Sequence, residues 1–502
     1  MCIRDSGNGA DLNQVEFLRY LKDDPETSVV AVYIETVNNG QEFMDALKEL
    51  TAVKPVIALK SGRSSSGMRA ALSHTGSMAG ADAVYDAAFR SCGAIRVDSL
   101  DELIDLCKGF SYLPPVKGRK VAIVTNSGGP GVMTTDLGES LGLDIADTSA
   151  ALQERLRSFL PAWAGFHNPI DMTVEGTGEN YRKVIEEVLS EYDAAVSIAF
   201  CPPYLDTSLI AKGVLEGFKN AGKPVLSALE TGKGAADSMQ FLADNGLPNF
   251  PSTERAIKVI ANMVKYEEYR QGMAQRQAEK SAPAGELPKG RNLLEYEAMD
   301  LLKNNGIATP NYRFVQSRDD MLKACGEIGY PVVVKVVSPA IIHKSDVGGV
   351  KLGIKTDADA LAAFDHMASI AKDKDFRGVM VYPMLKSGRE VILGITRDKQ
   401  FGPVVAFGLG GIFTEAFKDI SLSIAPVNKV QAMDMIKSVK SYKILKGLRG
   451  QKSVDMDALA EMIAAFSQLP FLYPSINEVD LNPVFAYEDG AMAGDVRIIL
   501  GD

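Results

Sequence analysis

A histidine in a loop of small residues is the first position in this sequence that could carry covalent chemistry. His74 lies in the run RAALSHTGSMAG at residues 69–80 and is one of only 4 histidines among 502 residues. An apolar run at 55–60 precedes the loop, and a helical pattern at 81–92 follows it. A loop between a strand and a helix presents backbone N–H groups that favour an anion. His74 could therefore accept a phosphoryl group, or it could be a loop histidine with no chemistry.

A carboxylate stands in a position from which it could support that histidine. Residues 29–34 are continuously apolar and rich in β-branched side chains, which predicts a buried parallel strand. Glu35 follows directly, at the carboxyl edge where open α/β sheets place their ligands. It could hold the imidazole of His74 in one tautomer and leave the other nitrogen free to attack. The alternative interpretation is a solvated acid at the end of a strand.

A glycine-rich turn is the second candidate site. The sequence NSGGPG occupies residues 126–131, between a predicted strand at 120–125 and a predicted helix from residue 132. Glycines in such a turn let the backbone approach a phosphate or a carboxylate closely. Many tight turns between a strand and a helix use glycine only for packing, so that alternative stays open.

A lysine inside an apolar run marks a third candidate site. Lys335 lies in YPVVVKVV at residues 330–337, which we predict to be a strand. Burying a lysine is costly without an anionic partner, so Lys335 requires a phosphate, a carboxylate or a route to solvent. The loop that follows, IHKSDVGGVK at residues 342–351, could close over a triphosphate.

Asn482 and Asp495 are candidate ligands for magnesium. They lie thirteen residues apart on what we predict to be paired strands. Magnesium prefers oxygen ligands, keeps several waters and is held by one or two protein groups. The alternative is that both are ordinary polar residues beside turns.

Composition excludes several classes of protein. The content of 46% apolar and 24% charged residues is typical of a soluble globular protein. The net charge of −10 argues against general binding to nucleic acid or to anionic membranes, although a local basic pocket for a nucleotide is compatible with it. The 5 cysteines lack CxxC spacing, which predicts reduced, mostly buried thiols in a cytoplasmic protein. No apolar run approaches the length of a membrane span.

The pattern along the chain predicts three folded regions and a linker. Residues 1–112 alternate helix and strand, and residues 115–270 do so again, with one strand predicted at 194–200. This alternation predicts two regions with parallel sheets. Residues 271–290 are polar and contain several prolines and glycines, as is typical of a linker or hinge. Residues 291–502 combine helices, the first of them predicted at 295–304, with antiparallel strands, which predicts an α+β domain.

Together these stretches resemble the NDP-forming acyl-CoA synthetases, a family that includes ADP-forming acetate–CoA ligase and succinyl-CoA synthetase. The last region resembles their ATP-grasp domain through residues 332–336, 343–352, 390–394, 401–418 and 478–484. The earlier regions resemble the ligase half through residues 32–35, 62–80 and 126–131. The resemblance implies an α/β protein with flavodoxin-like, succinyl-CoA-synthetase-type ligase domains and a C-terminal α+β ATP-grasp domain.

The resemblance also implies an activity. An ADP-forming acid–CoA ligase converts a carboxylate, CoA and ATP to acyl-CoA, ADP and phosphate through an acyl phosphate and a phosphohistidine. It would use Mg²⁺, form oligomers and be cytoplasmic, without nucleic-acid or membrane partners. Two alternatives are a regulatory synthetase-like portion of a protein acetyltransferase and an ATP-grasp ligase that joins a carboxylate to an amine. The identity of the carboxylic acid is not predicted.

In the ligase half, the resemblance assigns roles by position. His74 would be the phosphorylated histidine, and Glu35 would be its supporting carboxylate. The phosphohistidine or the carboxylate substrate would meet Asn126, Ser127, Gly128, Gly129, Gly131 and Asn168.

In the ATP-grasp part, the resemblance assigns a second set. His343 would be the second phosphohistidine, and Asp480 would lie near the phosphohistidine when it visits the nucleotide. Magnesium would be held by Asn482 and Asp495. The nucleotide would contact Lys335, Gly348, Gly349 and Glu390.

Two departures from the family pattern affect these expectations. Members usually begin with a glycine-rich CoA-binding domain, followed by a Ser-Gly loop that helps to hold the phosphohistidine, and this sequence starts after both. We therefore expect the native protein to be longer at its N-terminus and this chain alone to be inactive in acyl-CoA synthesis. Tyr382 stands where related proteins often carry an acid or an amide beside the nucleotide.

Overall fold

The computed structural model describes residues 12–64, 82–201, 205–230, 235–341, 344–410, 419–447 and 450–501. Contacts between residues divide the chain into two compact units. The first contains the residues up to 274 except 83–88, and the second contains 83–88 together with the residues from 275 onward. Among the described residues, no helix is both long and apolar enough to cross a membrane.

The first unit begins with a parallel sheet in the order β1-β2-β3. Side chains cap most of the helices around it; the N-cap asparagine of the first, Asn13, forms a capping box with Glu16. The strands are β1 (Val30–Ile34), β2 (Val56–Lys60) and β3 (Ile95–Val97). The helices are α1 (Gln14–Asp23), α2 (Gly40–Thr51), α3 (Asp82–Ser91), whose residues 83–88 belong to the second unit, and α4 (Leu100–Tyr112).

Strand β1 is parallel as predicted, but it is not buried on both faces. It pairs only with β2 in the described sheet, so it is an edge strand there. Val30 and Ile34 face the core, whereas Ala31 is exposed and Tyr33 is 58% exposed. The continuous apolar run therefore does not correspond to two covered faces, and the prediction of a fully buried strand is wrong.

A second parallel sheet in the first unit has the order β5-β4-β6-β7 and is almost completely buried. Its middle strand β6 has the bounds that the sequence predicts. The strands are β4 (Val121–Thr125), β5 (Ile170–Asp171), β6 (Ala194–Phe200) and β7 (Val225–Glu230). The helices are α5 (Gly128–Ser140), α6 (Ala150–Arg157), α7 (Gly178–Val188), α8 (Thr207–Ala221), α9 (Ala235–Asp244) and α10 (Thr253–Gly272).

The second unit contains two mostly antiparallel sheets, which confirms the α+β prediction. The smaller has the order β10-β9-β11-β8, and the larger has the order β14-β13-β12-β15-β16 with β17 also paired to β15. The strands of the smaller sheet are β8 (Arg313–Val315), β9 (Val332–Val337), β10 (Val350–Ile354) and β11 (Gly378–Pro383). Those of the larger are β12 (Arg389–Asp398), β13 (Gly402–Leu409), β14 (Ile420–Ile424), β15 (Ile476–Tyr487), β16 (Gly490–Ala493) and β17 (Arg497–Leu500).

The described residues of the second unit from 275 onward also form six α-helices. The first has the bounds that the sequence predicts. They are α11 (Glu295–Asn304), α12 (Arg318–Ile328), α13 (Asp357–Ile370), α14 (Lys429–Ser438), α15 (Tyr442–Lys446) and α16 (Met456–Leu472).

The predicted linker is irregular in backbone but is attached to the second unit. A short 3₁₀ turn at Met273–Arg276 follows α10, and residues 277–294 form neither helix nor strand. The N–H of Ala284 donates to the carbonyl of Leu472 at 2.9 Å, and the N–H of Ser281 donates to Gln468 Oε1 at 3.1 Å. The segment therefore lies along α16 instead of extending into solvent.

Candidate nucleotide and phosphoryl-transfer site

The buried lysine of β9 meets carboxylates. Lys335 is 8% exposed and pairs in register with Val350 of β10 and Met380 of β11. Its ammonium group donates to Glu295 Oε1 at 2.9 Å and to Asp495 Oδ1 at 2.7 Å. Burial by itself would lower the pKa of Lys335, but the two carboxylates outweigh it and raise that pKa. The expectation that this lysine needs an anionic partner is therefore confirmed.

Glu295, the first residue of α11, was missed by the sequence analysis. Its side chain is 1% exposed, and Oε2 lies 2.8 Å from the ammonium group of Lys344. Burial would raise the pKa of Glu295, but Lys335 and Lys344 outweigh it and lower that pKa. Acidic residues are common in the first turn of any helix, so sequence gave no signal that this one is buried between two lysines.

Tyr382 completes this group of side chains. Its hydroxyl donates to Glu295 Oε1, and Lys335 Nζ lies 4.9 Å from the centroid of its ring, within the range of a cation–π contact. Burial and the Glu295 carboxylate raise the pKa of Tyr382 well above its ordinary value. The side chains in this group, which we call the lysine–carboxylate cluster, are those of Glu295, Lys335, Lys344, Tyr382 and Asp495.

The two candidate magnesium ligands are brought opposite each other. Strand β15 pairs Val484 with Ala493 of β16 and Asp480 with Arg497 of β17, so the antiparallel register places Asn482 across from Asp495. Asp495 lies in the loop between β16 and β17, not on a strand as predicted. A register shift between β12 and β15 falls around Asn482 and frees this part of β15 from regular pairing.

The donor atoms at this point suit magnesium. Asn482 is exposed, and the side chain of Asp495 is 38% exposed, so an amide oxygen and a carboxylate are accessible together. In the described part of the chain, no group of three or more His, Cys, Asp or Glu residues could hold a metal ion. The pair would therefore form a sparse site completed by waters and phosphates. Asp495 contacts Lys335 through Oδ1, which leaves its second oxygen available to a metal ion.

The two positions before β10, Gly348 and Gly349, require glycine for different reasons. Gly348 has a φ of +69°, which an L-residue rarely adopts. A Cβ on Gly349 would lie 2.7 Å from Val336 Cγ1 and 2.9 Å from the carbonyl oxygen of Lys344. The N–H of Gly349 donates to that carbonyl at 2.7 Å, and its own carbonyl accepts from the N–H of Val336 at 2.9 Å. The glycines therefore hold the backbone of Lys344 close to β9; their contact with phosphates stays a prediction.

Two further predicted residues lie on the larger sheet. Glu390 is exposed near the start of β12, and its backbone carbonyl accepts from the N–H of Gly410 at 2.8 Å. Asp480 is half-buried on β15 opposite Arg497. Burial raises the pKa of Asp480, Arg497 opposes that effect, and Glu478 adds to it. The role of Asp480 near the phosphohistidine stays a prediction.

In the first unit, the turn at residues 126–131 opens the N-terminus of α5. Ser127 is the N-cap without a side-chain cap bond, and Gly128 and Gly129 are exposed. A Cβ on Gly129 would meet nothing within 4 Å, whereas one on Gly131 would lie 3.2 Å from both Pro169 Cβ and Thr125 Cγ2. Gly131 is thus a packing glycine, while Gly128 and Gly129 offer free backbone N–H groups of the kind that bind anions.

The two asparagines predicted to meet the phosphohistidine or the carboxylate form hydrogen bonds to backbone groups. Asn126 donates to the carbonyl of Phe200 at 2.9 Å and accepts from the same residue's N–H at 2.8 Å. Asn168 accepts from the N–H of Ile123 at 2.9 Å and donates to the carbonyls of Val121 and Ala146 at 3.0 and 3.1 Å. Both amides bond to backbone groups of the fold, and their contact with the phosphohistidine or the carboxylate stays a prediction.

The two histidines at the centre of the predicted chemistry, His74 and His343, lie outside the described residues. Glu35 follows β1 as predicted and is half-buried. Beside it, Lys60 ends β2 opposite Ile34 and is 2% exposed, and burial lowers its pKa against the opposing effects of Asp82 and Glu35. Lys60 was not predicted as a site residue, although this lysine also ends an apolar run. It brings a buried cation to the strand end that precedes the predicted histidine loop.

Comparison with known proteins agrees with these features. The model of a succinyl-CoA ligase-like flavodoxin domain matches residues 3–110, that of a ligase-CoA domain matches 121–274, and that of an ATP-grasp domain matches 287–500. The chain is 36% identical over 511 residues to acetate–CoA ligase [ADP-forming] I of Archaeoglobus fulgidus, covering 99% of this chain and 73% of that protein. The chain belongs to the ADP-forming acyl-CoA ligase family. The predicted family and fold class are therefore confirmed.

Other members of the family differ in their named substrates. A 4-hydroxybutyrate–CoA ligase [ADP-forming] of Nitrosopumilus maritimus is 35% identical over 511 residues, covering 98% of this chain and 73% of that protein. Among solved structures, acetyl-coenzyme A synthetase 1 of Ca. Korarchaeum cryptofilum in complex with phosphate and ADP has a TM-score of 0.52 and 31% identity. That match covers 54% of this chain and 60% of the solved chain.

Proposed function

We propose that this chain performs the phosphoryl-transfer chemistry of an ADP-forming acid–CoA ligase, which converts a carboxylate, CoA and ATP to acyl-CoA, ADP and phosphate. The observation that carries the proposal is the lysine–carboxylate cluster in the region matched by the ATP-grasp model. One of its members, Asp495, lies opposite the second candidate oxygen ligand, Asn482. The buried Lys335 and the half-buried Lys344 at one point favour a polyphosphate ligand. We infer CoA and a small carboxylate as substrates because the relatives are named for them.

The first transfer would take place at the cluster. Lys335 and Lys344 would hold the phosphates of ATP, and Asn482 and Asp495 would hold Mg²⁺. Bound magnesium would neutralise part of the charge on the phosphates. The bond between the γ-phosphorus and the bridging oxygen of ADP breaks, and a phosphorus–nitrogen bond to the His343 imidazole forms with loss of the ring proton. ADP leaves, and the protein keeps the phosphoryl group covalently.

The second transfer would move the group to the ligase half. The phosphorus–nitrogen bond at His343 breaks as one forms at His74, whose imidazole Glu35 would hold in the receptive tautomer. The N–H groups of Gly128 and Gly129 would stabilise the phosphoryl oxygens with dipoles that need no rearrangement. Transfer to the carboxylate substrate would give the acyl phosphate, and the CoA thiol would then displace phosphate.

Assembly and location are further proposals. We infer an oligomer and a cytoplasmic location from the resemblance to the family. The described cysteines, Cys92, Cys107, Cys201 and Cys325, are free, which supports a reducing compartment. Burial raises the pKa of Cys92 to about 12, so that thiol is unreactive.

Exchange of labelled ADP into ATP tests the proposed function without CoA or an acid. The account expects exchange that requires Mg²⁺, because formation and reversal of the phosphohistidine need only the nucleotide and the protein. A regulatory protein would bind nucleotide without exchange. An ATP-grasp ligase that joins a carboxylate to an amine would exchange only when its carboxylate is present, since it has no phosphorylated histidine.

A further inference from the structure

The carboxylate of Glu295 is the fixed point of the lysine–carboxylate cluster. Its side chain is 1% exposed, and its two oxygens contact different ammonium groups. Oε1 accepts from Lys335 at 2.9 Å and from the Tyr382 hydroxyl, while Oε2 lies 2.8 Å from Lys344 Nζ. A buried carboxylate with three partners stays in place when ligands exchange at the surface.

The other carboxylate on Lys335 is placed differently. Asp495 lies in a loop between two short strands, and its side chain is 38% exposed. It contacts Lys335 at 2.7 Å and stands opposite Asn482, the other candidate metal ligand. Asp495 is therefore the exchangeable partner of Lys335, and Glu295 is the permanent one.

We propose that Glu295 is a positioning residue of the nucleotide site, a permanent counterion that holds Lys335 and Lys344 side by side while Asp495 is exchanged for a nucleotide phosphate. This inference rests on the proposed function, because it takes the cluster as the nucleotide site. When a magnesium nucleotide binds, Asp495 turns to the metal and Lys335 takes a phosphate oxygen. Without Glu295 the two ammonium groups repel each other, and Lys335 has only Asp495 to pair with.

Calorimetric titration of the full chain with adenosine, ADP and a non-hydrolysable ATP analogue, all in Mg²⁺, tests this inference. Glu295→Gln keeps the side-chain volume and an acceptor for Tyr382 but removes the charge. We expect it to weaken both phosphate-bearing ligands by about tenfold or more and to leave adenosine unchanged. The matched control is Glu297→Gln, in the same helical turn, whose partner Arg291 lies near the surface; it should bind all three ligands normally.

A second variant guards against loss of folding. Glu295→Asp keeps a negative charge beside the lysines, but its shorter side chain reaches only one ammonium group. We expect a melting temperature near that of the wild type and weaker binding of ADP and the ATP analogue, again with adenosine unchanged. Failure of this variant to fold would overturn the inference, because the carboxylate would then be purely structural.

The other possible results of these titrations show whether the positioning role of Glu295 or the proposed function has failed. Wild-type or tighter affinity for ADP in either folded variant would overturn the positioning role. Equal losses for adenosine and ADP would also overturn it, since they would show general damage to the fold. If the wild-type chain binds no nucleotide at all, the proposed function fails, whatever the variants do.

Discussion

The glycine-rich turn of the first unit and the lysine–carboxylate cluster of the second both contain polar side chains that the sequence suggests for a phosphate, but the fold uses them differently. At the turn, the amides of Asn126 and Asn168 are bonded to backbone groups of neighbouring strands. At the cluster, Glu295 and Asp495 pair with the ammonium group of Lys335. The turn can therefore bind a ligand through its backbone N–H groups, whereas the cluster can bind one through its charged side chains.

The difference follows from what each group needs when it is buried. A neutral amide can be satisfied by backbone N–H and carbonyl groups at strand ends, so it becomes part of the fold. A buried ammonium group needs an anion, which a strand's own backbone does not supply. Side-chain substitutions should therefore mainly affect stability at the turn, and both stability and nucleotide binding at the cluster.

The largest effect is expected for Lys335→Met. It leaves Glu295 and Asp495 without the ammonium group that joins them, and breaking a buried ion pair costs roughly 3–5 kcal/mol. Urea denaturation should show this loss, and titration should show that magnesium ATP binding is abolished. The control is Lys351→Met on the exposed face of β10, which should change neither. A loss of stability below about 1 kcal/mol for Lys335→Met would show that the pair contributes little.

An intermediate effect is expected for Asn168→Ala at the turn. It leaves backbone groups of Ile123, Val121 and Ala146 without partners, which costs roughly 1–3 kcal/mol. ADP–ATP exchange per folded molecule should stay normal. Asn245→Ala, which removes a single exposed amide contact, is the control. Normal stability with reduced phosphorylation of the protein would instead mean that the Asn168 amide contacts the ligand.

Gly129→Ala should separate stability from activity. Alanine meets no neighbour here and has the higher helix propensity, so the variant should gain up to about 1 kcal/mol in its free energy of unfolding. Its methyl group should nevertheless obstruct the approach of a phosphoryl group to the helix N-terminus and slow phosphorylation of His74. Gly326→Ala in α12 also meets no neighbour and should gain stability without any change in rate. An unchanged rate for Gly129→Ala would contradict the backbone site.

The smallest effect concerns the pH dependence of stability at Asp480. Because burial raises its pKa, the folded protein binds this proton more tightly than the unfolded chain does. The ionised form therefore destabilises the fold above that pKa, and the cost disappears as the pH falls. Asp480→Asn should raise the melting temperature slightly at neutral pH, with the gain shrinking toward about pH 4. A gain that grows as the pH falls would mean that the pKa is lowered instead.

The sequence predicts features that depend on a local pattern or on the strong requirement of one residue, such as the need of a buried lysine for an anion. The bounds of β6 and α11, the need of Lys335 for an anion, and the placement of Asn482 near Asp495 are of this kind. The identity of the anion is not local, because Glu295 and Asp495 are 40 and 160 positions away from Lys335.

Two further features were not predicted, for a related reason. They are the exposure of one face of β1 and the hydrogen bonds from the two asparagine side chains to the backbone. The run at Val30–Ile34 is apolar whether or not a neighbouring layer covers Tyr33. An asparagine that bonds to backbone groups of a strand 45 and 47 positions away has the same local sequence as one that faces a ligand.

Labelling with γ-labelled ATP tests the central claim, that ATP phosphorylates His343 first and that the group then passes to His74. The account predicts a label that is labile to acid and stable to alkali, as a phosphorus–nitrogen bond requires. His74→Ala should still be labelled at His343, His343→Ala should lose the label at both positions, and Glu35→Gln should slow labelling of His74 alone. Labelling of His74 at the wild-type rate in His343→Ala would contradict the relay and mean that His74 visits the nucleotide directly.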